Sequence, residues 1–447
     1  MGESLQKRKK VLEDAEDRIS SLPDSVLCCI LSFLPTKDAG RTSILSTRWK
    51  YLFVSSPNLE FDDSFGSVES RPRFVNFVYR VLALRASSSM NRFRLKCEVN
   101  NDDPHVNRWI SAALCRNVQE LEIELCTFSY VFPRIQNSGL LPYDLFTCRT
   151  LVVLKLDADC SLNVPRNVSL PNLKTLHLQS VLVEWDSFKR ILSGCPVLED
   201  LLTCGCRFMY LQVFDLSVPT LKRLTLGSLC LPCGEFYGSE VVIDAPYLQC
   251  IRLKDNVVKK GYTLKGLTSP TEAHISIKLS VQEWRQRLSN CLPVAKLFEA
   301  ISKVESLHLA GYSVLVLDVT QPRLPTFPNL TRLEVASNDT TLGLLAELLH
   351  CSPNLEVLVV GQVHKYGRGP RNFPIRTGYL SLHLKEVDLR EFTGKEDELE
   401  VVEYLLDSAQ VLEKMTIVMP SSMDKLHVSK KVSTFPRQSR ACHILVT

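Results

Sequence analysis

A short leucine motif recurs along this chain of 447 residues and limits the folds that the chain can adopt. The motif reads LxxLxL, and a Pro-x-Leu step often introduces it, as in "LPNLKTLHL" and "FPNLTRLEV". Most successive copies begin about 22–29 residues apart, a period typical of stacked structural repeats. The first apolar position of the motif occurs in register at Val118, Leu151, Leu173, Leu198, Leu221, Leu248, Val304, Leu330, Leu355, Leu384 and Leu412. Such a series predicts an array of similar units.

The spacing within each copy predicts a strand, and the sequence between copies predicts a return segment. Alternating leucines at the end of the motif point to one face of a short strand, and helical apolar periods follow in "WDSFKRIL" (185–192) and "TLGLLAELL" (341–349). The step from Leu248 to Val304 is about double, and "TEAHISIKL" (271–279) is interpreted as a degenerate repeat within it. No unit can bury its apolar face alone, so we expect an irregular α/β leucine-rich-repeat solenoid, a curved parallel sheet with helices on its convex side.

The outward-facing strand positions of such an array form its concave face, where solenoids of this kind bind their partners. The signs of charge are mixed along this face, which favours a protein partner over a nucleic acid. The position between the last two leucines of the motif holds Glu122, Lys155, His177, Leu202, Thr225, Arg252, His308, Glu334, Val359, Asp388 and Thr416. Our candidate target-binding residues on this face are His177, Arg223, Arg252, His308, Arg332 and Glu334.

The composition is ordinary for a folded protein and argues against several classes of partner. Hydrophobic residues make up 45% and charged residues 23% of the chain, and the net charge is only +4, so nothing global favours nucleic acid or an anionic membrane. The sequence has no uncharged apolar stretch long enough for a membrane span and no secretory signal at its start. We therefore expect the cytoplasm and/or the nucleus, where the 16 cysteines stay reduced.

The cysteine spacing does not favour a metal site. The nearest approach to a zinc pattern is one residue short in its first pair, and it comprises Cys204-x-Cys206 and Cys230-x-x-Cys233. The ninth position of the repeat prefers Asn or Cys, whose side chain can satisfy backbone groups in the turn after the strand. That position is held here by Cys126, Cys206, Asn256 and Asn338. A structural role for these cysteines is therefore expected, with no metal and no other cofactor.

The segment "SSLPDSVLCCILSFLP" (20–35) is apolar on nearly every side of one predicted helix. Pro23 and Asp24 suit the start of this helix and Pro35 its end, and two further short helices are predicted with Thr36 and Ser46 as N-caps. Three helices in about 40 residues cannot bury so much apolar surface among themselves. The excess must be covered by the solenoid or by another protein.

These residues resemble the F-box in its plant form. The matching positions within 17–53 are Leu22, Pro23, Ile30, Leu31, Phe33, Leu34, Pro35, Ser46, Thr47, Arg48, Trp49 and Leu52. The resemblance implies docking on the Skp adaptor of a cullin–RING ubiquitin ligase, with Trp49 in the core. The residues it implies as adaptor-facing or helix-positioning are Leu22, Pro23, Ile30, Leu31 and Leu34. Gly40 replaces the aliphatic residue usual in this family, which predicts a looser second helix.

The segment 384–420 resembles the FBD segment that follows leucine-rich repeats in plant F-box proteins, and "VSTFPRQSRACHILVT" fits its closing pattern. Its pattern predicts a strand, a helix and a strand, with Thr393 and Glu396 as a capping box. The buried stripe of the helix is predicted to contain Leu399, Val402, Leu405 and Leu406. The chain thus divides into a tail (1–16), an F-box (17–63), a repeat array with a helical N-terminal cap (64–370), and an FBD segment with terminal repeats and cap (371–447).

The sequence contains no GxxxxGK[ST], GxGxxG, GxSxG or HExxH motif, and we assign no catalytic residue. The resemblance implies a non-catalytic substrate receptor of an SCF-type ubiquitin ligase, in which the F-box binds the adaptor and the solenoid binds a protein target. Two alternatives stay open: a receptor of the same architecture that needs a small ligand, and a leucine-rich-repeat scaffold outside any ligase. Neither nucleic acid nor a membrane is expected as a partner.

Overall fold

The computed structural model describes residues 19, 21–63, 70–85, 89–99, 104–127, 140–211, 213–227, 240–255, 261–267, 270–277, 292–311, 313–314, 317, 324–336, 340–364 and 382–447. The chain divides into two compact units, an N-terminal unit of residues 1–173 and a C-terminal unit of residues 174–447. The predicted tail (1–16), Cys230, Cys233, Asn256 and Asn338 lie outside the described residues.

The N-terminal unit begins with a module of short helices, α1 (Asp24–Ser32), α2 (Thr36–Arg41) and α3 (Thr47–Ser55), with a 3₁₀ turn at Thr42–Ile44. Trp49 is buried, as expected, beside Leu27, Leu31 and Leu52. The predicted cap of α3 is confirmed, because the Ser46 side chain accepts a hydrogen bond from the Trp49 backbone N–H.

The predicted cap of α2 is wrong. Pro35 occupies the N-cap position, and Thr36 is the first residue inside the helix. The Thr36 side chain is buried and its Oγ1 accepts a hydrogen bond from the Glu60 backbone N–H at 2.5 Å. The hydroxyl therefore joins α2 to the first strand instead of satisfying the start of its own helix.

A parallel sheet forms the rest of the N-terminal unit, with the strand order β1-β2-β3-β4. Its strands and helices are β1 (Asn58–Asp62), α4 (Arg71–Leu84), β2 (Arg92–Val99), α5 (Pro104–Leu114), β3 (Glu120–Thr127) and β4 (Val153–Ala158). Helix α4 buries Val78, Val81 and Leu82, and its role as the N-terminal cap of the array stays a prediction. The inward residues of the sheet alternate with polar residues on the other face, as a half-buried strand requires.

The C-terminal unit continues the repeat pattern. Its strands are β5 (Thr175–Gln179), β6 (Leu182–Glu184), β7 (Asp200–Cys204), β8 (Arg207–Met209), β9 (Val213–Ser217), β10 (Arg223–Gly227), β11 (Glu240–Asp244), β12 (Cys250–Asp255), β13 (Gly261–Lys265), β14 (Glu272–Ile277), β15 (Ser306–Gly311), β16 (Arg332–Ala336), β17 (Thr340–Thr341), β18 (Val357–Val360), β19 (Val363–His364), β20 (Glu386–Leu389), β21 (Lys414–Ile417) and β22 (His443–Val446). Its helices are α6 (Trp185–Ser193), α7 (Leu292–Ala300), α8 (Leu342–His350), α9 (Glu396–Ser408) and α10 (Lys425–Ser433).

These strands form one main parallel sheet and smaller sheets. The main order is β5-β7-β10-β12-β14-β15-β16-β18-β20-β21-β22, and a second parallel sheet has the order β13-β11-β9. The degenerate repeat is confirmed, since β14 pairs in register with β12 and β15. Helices α6 and α8 lie where the helical periods predicted them.

The repeat leucines form the core of the array. Each first position of the motif, from Val118 to Leu412, is at most 1% exposed. The residue just before this position often donates a side-chain hydrogen bond to a carbonyl of the preceding repeat, as Asn172 does to Arg149 O at 2.7 Å and Asn354 to Pro328 O at 2.7 Å. Leucine burial and these bonds together fix the stacking of neighbouring repeats.

The turn after the strand is satisfied as the motif predicts in one repeat and differently in another. Cys206 is buried, and its thiol lies 3.2 Å from the Leu178 carbonyl oxygen. In the repeat that starts at Val304, Ser313 one position later has this role, and its Oγ accepts from the Ile277 N–H and donates to carbonyl groups. The shift coincides with Gly311 at φ +60°, where a Cβ would lie 2.9 Å from the Ile277 oxygen.

The strand–helix–strand pattern near the C-terminus is confirmed by β20, α9 and β21, but the capping box lies elsewhere. The N-cap of α9 is Lys395, and Glu398 is the acidic partner, not Glu396. Glu398 is buried, and its Oε2 accepts from the Lys395 N–H, the Thr393 N–H and the Thr393 hydroxyl at 2.8–3.2 Å. Helix α10 and strand β22 follow, elements that the pattern did not predict.

Candidate interaction surfaces

The helical module leaves several large apolar side chains exposed within the N-terminal unit. Phe33, at the end of α1, is 81% exposed and Ile44, in the 3₁₀ turn, is 86% exposed. Further exposed apolar side chains on the module are Ile19, Val26, Ile30, Leu34 and Leu45. Large exposed apolar patches on folded proteins mark interaction sites. We call this set of seven residues the apolar patch.

The sequence candidates of the module fall into three environments. Ile30 and Leu34 belong to the apolar patch, and Pro23 is exposed at the N-cap of α1. Leu22 is half-buried, and its carbonyl oxygen accepts a hydrogen bond from Arg48 at 2.6 Å. Leu31 is 1% exposed, so it positions α1 from the inside and has no surface for a partner in this conformation.

The module is fixed by polar contacts at its rim. Arg48 on α3 makes a salt bridge to Asp24 at the start of α1, with a shortest N–O distance of 2.6 Å. The same guanidinium reaches the Leu22 carbonyl, so it joins both segments around Pro23. Burial is the main reason why the pKa of the neighbouring Cys28 thiol is raised, and the charge of Asp24 adds to it. The patch is therefore presented on a defined scaffold.

The outward strand face of the N-terminal unit carries an excess of negative charge. In register across β1 to β4 stand Glu60, Arg94, Glu122 and Lys155. Arg94 bridges Glu60 at 2.8 Å and Glu122 at 3.6 Å. Among the described face positions of these strands, carboxylates outnumber cations seven to four: Glu60, Asp62, Glu98, Glu120, Glu122, Glu124 and Asp157 against Arg92, Arg94, Lys96 and Lys155.

The outward strand face of the C-terminal unit carries one continuous row of side chains. Strand pairing places in register His177, Leu202, Thr225, Arg252, His274, His308, Glu334, Val359, Asp388, Thr416 and Leu445. This row contains each concave-face position predicted for this part of the chain. It adds His274 from the degenerate repeat and Leu445 from β22.

Two of the candidate residues meet at Asp200 on β7. His177 Nε2 lies 3.5 Å from Asp200 Oδ1, and Arg223 Nε lies 2.9 Å from Asp200 Oδ2. Burial alone would raise the pKa of Asp200, but the hydrogen bonds and charges of His177 and Arg223 outweigh it and hold the pKa below its ordinary value. Asp200 thus keeps its charge and joins β5, β7 and β10 across the face.

The other four candidates belong to a larger group that we call the central cluster. It consists of Arg252, Glu272, His274, His308, Arg332, Glu334, Asp388 and Arg390. The rings of His274 and His308 face each other with centroids 5.0 Å apart. His274 contacts Glu272, and His308 Nδ1 lies 3.7 Å from Glu334 Oε1. The cluster therefore links neighbouring strands from β12 to β20.

The surroundings of the central cluster lower the pKa of two of its groups, His308 and Glu272. Burial is the main cause of the lowered pKa of His308, and the charges of His274 and Arg390 act in the same direction, while Glu334 opposes them. The pKa of Glu272 is lowered, mainly by its hydrogen bond with His274. Around neutral pH, His308 is thus biased towards its neutral form and Glu272 towards its charged form.

Three residues of this cluster, Glu272, His274 and Arg390, were not predicted from the sequence. His274 and Glu272 lie in the degenerate repeat, whose motif was too weak to place them on the face. Arg390 comes just after β20, and its reach to Glu334 at 3.0 Å follows only from the packed structure. Among the described residues, no three or more His, Cys, Asp or Glu side chains are arranged so that they could hold a metal ion. No helix in the described part of the chain is long and apolar enough to span a bilayer.

Comparison with known proteins gives the relationship of the whole chain. It is 34% identical to the F-box/LRR-repeat protein At3g59200 of Arabidopsis thaliana over 97% of this chain and 88% of that protein. This chain belongs to the F-box/LRR-repeat family. It is also 33% identical to the putative F-box/FBD/LRR-repeat protein At5g22670 of Arabidopsis thaliana, over 97% of this chain and 98% of that protein.

Family profiles locate the parts of this F-box/LRR-repeat protein. The F-box domain profile matches residues 19–61, the FBD profile matches residues 378–417, and the repeat profile described as "FBD-associated F-box protein At5g56370, LRR repeats" matches residues 106–266. The apolar patch lies wholly within the F-box match. Arg252 lies within the repeat match and Arg390 within the FBD match, so both regions contribute to the central cluster.

Proposed function

We propose that this protein is the substrate-receptor subunit of an SCF-type cullin–RING ubiquitin ligase. In this proposal the F-box binds a Skp-type adaptor, and through it cullin, while the strand face of the C-terminal unit binds the protein target. The observation that carries the proposal is the apolar patch of the F-box. An apolar surface of this kind, held on a module of short helices, is suited to docking on another protein.

The proposed role needs no catalytic group on this chain. A receptor that holds a target lysine near a charged conjugating enzyme raises the effective concentration of the reacting groups. Ubiquitin transfer itself is carried out by other subunits. We place this activity in the cytoplasm or the nucleus, because the described cysteines are free thiols, as a reducing compartment keeps them.

Adaptor binding by the purified full chain tests this proposal. We choose the double variant Phe33→Ala/Ile44→Ala, because both side chains are exposed and their removal leaves the interior of the F-box intact. The matched control is Leu426→Ala, an exposed leucine on α10. We expect the double variant to weaken binding to a purified Skp adaptor by about tenfold or more, and the control to bind like wild type.

The same assay separates the alternatives. A folded wild-type protein that binds no Skp adaptor would contradict the ligase role and leave the scaffold function. Adaptor binding together with target capture only after a small molecule is added would support the ligand-dependent receptor.

A further inference from the structure

Arg390 extends over one strand to join two others on the face of the C-terminal unit. Its Nη1 donates to Glu334 Oε1 on β16 and its Nε to Asp388 Oδ2 on β20, both at 3.0 Å. Strand β18 lies between them in the sheet, and its Val359 is only 2% exposed at the intervening row position. The FBD-matched region thus supplies an arginine that spans the middle of the repeat face.

The arginines of the central cluster offer more hydrogen-bond donors than their carboxylate neighbours use. A guanidinium carries five N–H donors, and the side chains of Arg252, Arg332 and Arg390 are 37%, 45% and 47% exposed. Arg332 lies 3.9 Å from Glu334, beyond hydrogen-bond distance. A surface with surplus, partly exposed guanidinium donors is complementary to groups rich in acceptors, such as carboxylate or phosphate.

His308 can add a positive charge to this face when it takes up a proton. His308 is flanked by His274 and Glu272 on β14, by Glu334 and Arg332 on β16, and by Arg390 from β20, with Arg252 beyond on β12. Apart from the histidines, four cations balance four carboxylates on the described face from β12 to β20: Arg252, Lys254, Arg332 and Arg390, which follows β20, against Glu272, Glu334, Glu386 and Asp388. A proton taken up by His308 makes this region more positive.

The outward strand faces of the two units differ in how well they suit an anionic partner. The face of the N-terminal unit holds an excess of carboxylates, many in ion pairs. An anionic segment is repelled there, whereas it meets guanidinium donors and His308 on the face of the C-terminal unit. Five strand spacings separate β12 from β20, which is about 24 Å, or about seven residues of extended chain.

We infer that the central cluster binds an extended anionic segment of the protein target, with side-chain carboxylates or phosphates held by Arg252, Arg332 and Arg390. The inference deepens the proposed function and rests on it for the identity of the bound protein as a ubiquitination target. It gives the FBD-matched region a role in recognition through Arg390. It also makes affinity for the segment rise as the pH falls below about 6.5, where His308 takes up a proton.

The test uses fluorescence anisotropy with the full chain and labelled peptides of about eight residues. One peptide alternates Glu and Ala, a second alternates Lys and Ala, and a third replaces the Glu residues with phosphoserine. The protein variants are Arg390→Gln, Arg390→Lys, Arg252→Gln and His308→Gln. The matched control is Lys155→Gln, which removes one positive charge from the face of the N-terminal unit.

We expect wild type to bind the anionic peptides and not the Lys peptide. Arg390→Gln and Arg252→Gln should each weaken binding by about tenfold, Arg390→Lys by less, and Lys155→Gln should leave it unchanged. The gain in affinity near pH 6 should shrink in His308→Gln. The ratio of affinities for the Glu and phosphoserine peptides identifies the preferred source of the anion.

Several outcomes would overturn the inference. They are equal binding of the Glu and Lys peptides, no binding of either anionic peptide, or wild-type affinity in Arg390→Gln with its thermal unfolding midpoint unchanged. Adaptor binding is measured on the same preparations. Loss of the peptide interaction with adaptor binding intact overturns this inference alone, and the reverse result overturns the proposed function alone.

Discussion

At the scale of single residues, Thr203 departs from the repeat pattern at a cost in stability. It occupies an inward position on β7, where its register partners on β5 and β10 are the buried Leu178 and Leu226. Thr203 is fully buried, and the structure gives its hydroxyl no hydrogen-bond partner. A buried polar group without a partner costs about 1–3 kcal/mol.

Replacing Thr203 by valine should therefore stabilise the protein. Valine has nearly the same shape and lacks the hydroxyl, so we expect the free energy of unfolding of the C-terminal unit to rise by about 1 kcal/mol. Denaturant unfolding followed by circular dichroism measures the change. Thr225→Val, on the outward face of the next strand, is the control and should have little effect. Equal effects of the two substitutions would contradict this explanation.

Gly40 stands where plant F-boxes usually have an aliphatic residue, and the structure explains this difference. A Cβ at this position would lie 3.5 Å from the Phe53 ring and 3.7 Å from the Phe77 ring, both ordinary contact distances. The aliphatic side chain usual in plant F-boxes would have to displace those rings, and Phe77 belongs to α4 outside the F-box match. The glycine is thus matched to a neighbour that the sequence pattern could not reveal.

Gly40→Ala should stabilise α2 by about 0.5–1 kcal/mol, because alanine restricts the unfolded backbone and its methyl group fits. Gly40→Leu should destabilise the protein by about 1–3 kcal/mol through overpacking against the two rings. Thermal unfolding of both variants measures the difference. Stabilisation by leucine would show that the rings do not limit this site.

His308 gives the strand face a pH dependence of stability. Its pKa in the folded protein is lowered from 6.5, mainly by burial, so the unfolded chain binds a proton more readily. The stability that depends on neutral His308 is fully present above about pH 6.5 and is lost as the pH falls below that value towards the lower folded pKa. Unfolding midpoints between pH 5 and 7.5 should fall less in His308→Gln than in wild type. Parallel curves would contradict the burial effect.

At the scale of elements, the repeat leucines predicted strands well because their burial follows directly from spacing. Helices α6 and α8 also lie where their apolar periods indicated. The N-caps were less predictable, since a cap depends on which backbone group is left without a partner after packing. Thr36 bonds to β1, and Glu398 serves where Glu396 was expected.

Glu398 should be the more important acidic residue of α9. It is buried and accepts three hydrogen bonds that fix the turn before the helix, so Glu398→Ala should lower the free energy of unfolding by about 2 kcal/mol or more. Glu403→Ala, at an exposed position of the same helix, is the control. Urea unfolding compares the two variants, and similar losses would contradict a specific capping role.

At the scale of the whole molecule, the sequence predicted an adaptor-binding surface on the F-box and a target-binding strand face on the repeats. It also predicted the protein family. It could not assign charge balance to the two strand faces, because ion pairing depends on register between strands far apart in the chain. Arg390 lies 56 positions from its partner Glu334, and His274 was hidden in a degenerate repeat. It also could not separate Leu31, inside the F-box, from Ile30 on its surface.

Hydrogen–deuterium exchange of the full chain, with and without a purified Skp adaptor, shows directly whether the apolar patch binds the adaptor. We predict that adaptor-induced protection is confined to the F-box segments around α1 and the 3₁₀ turn, where Phe33 and Ile44 are exposed. Strands β12 to β20 should exchange as before and stay available for a target. Protection on those strands without protection in the F-box, or no protection anywhere, would contradict the assignment of the apolar patch to the adaptor.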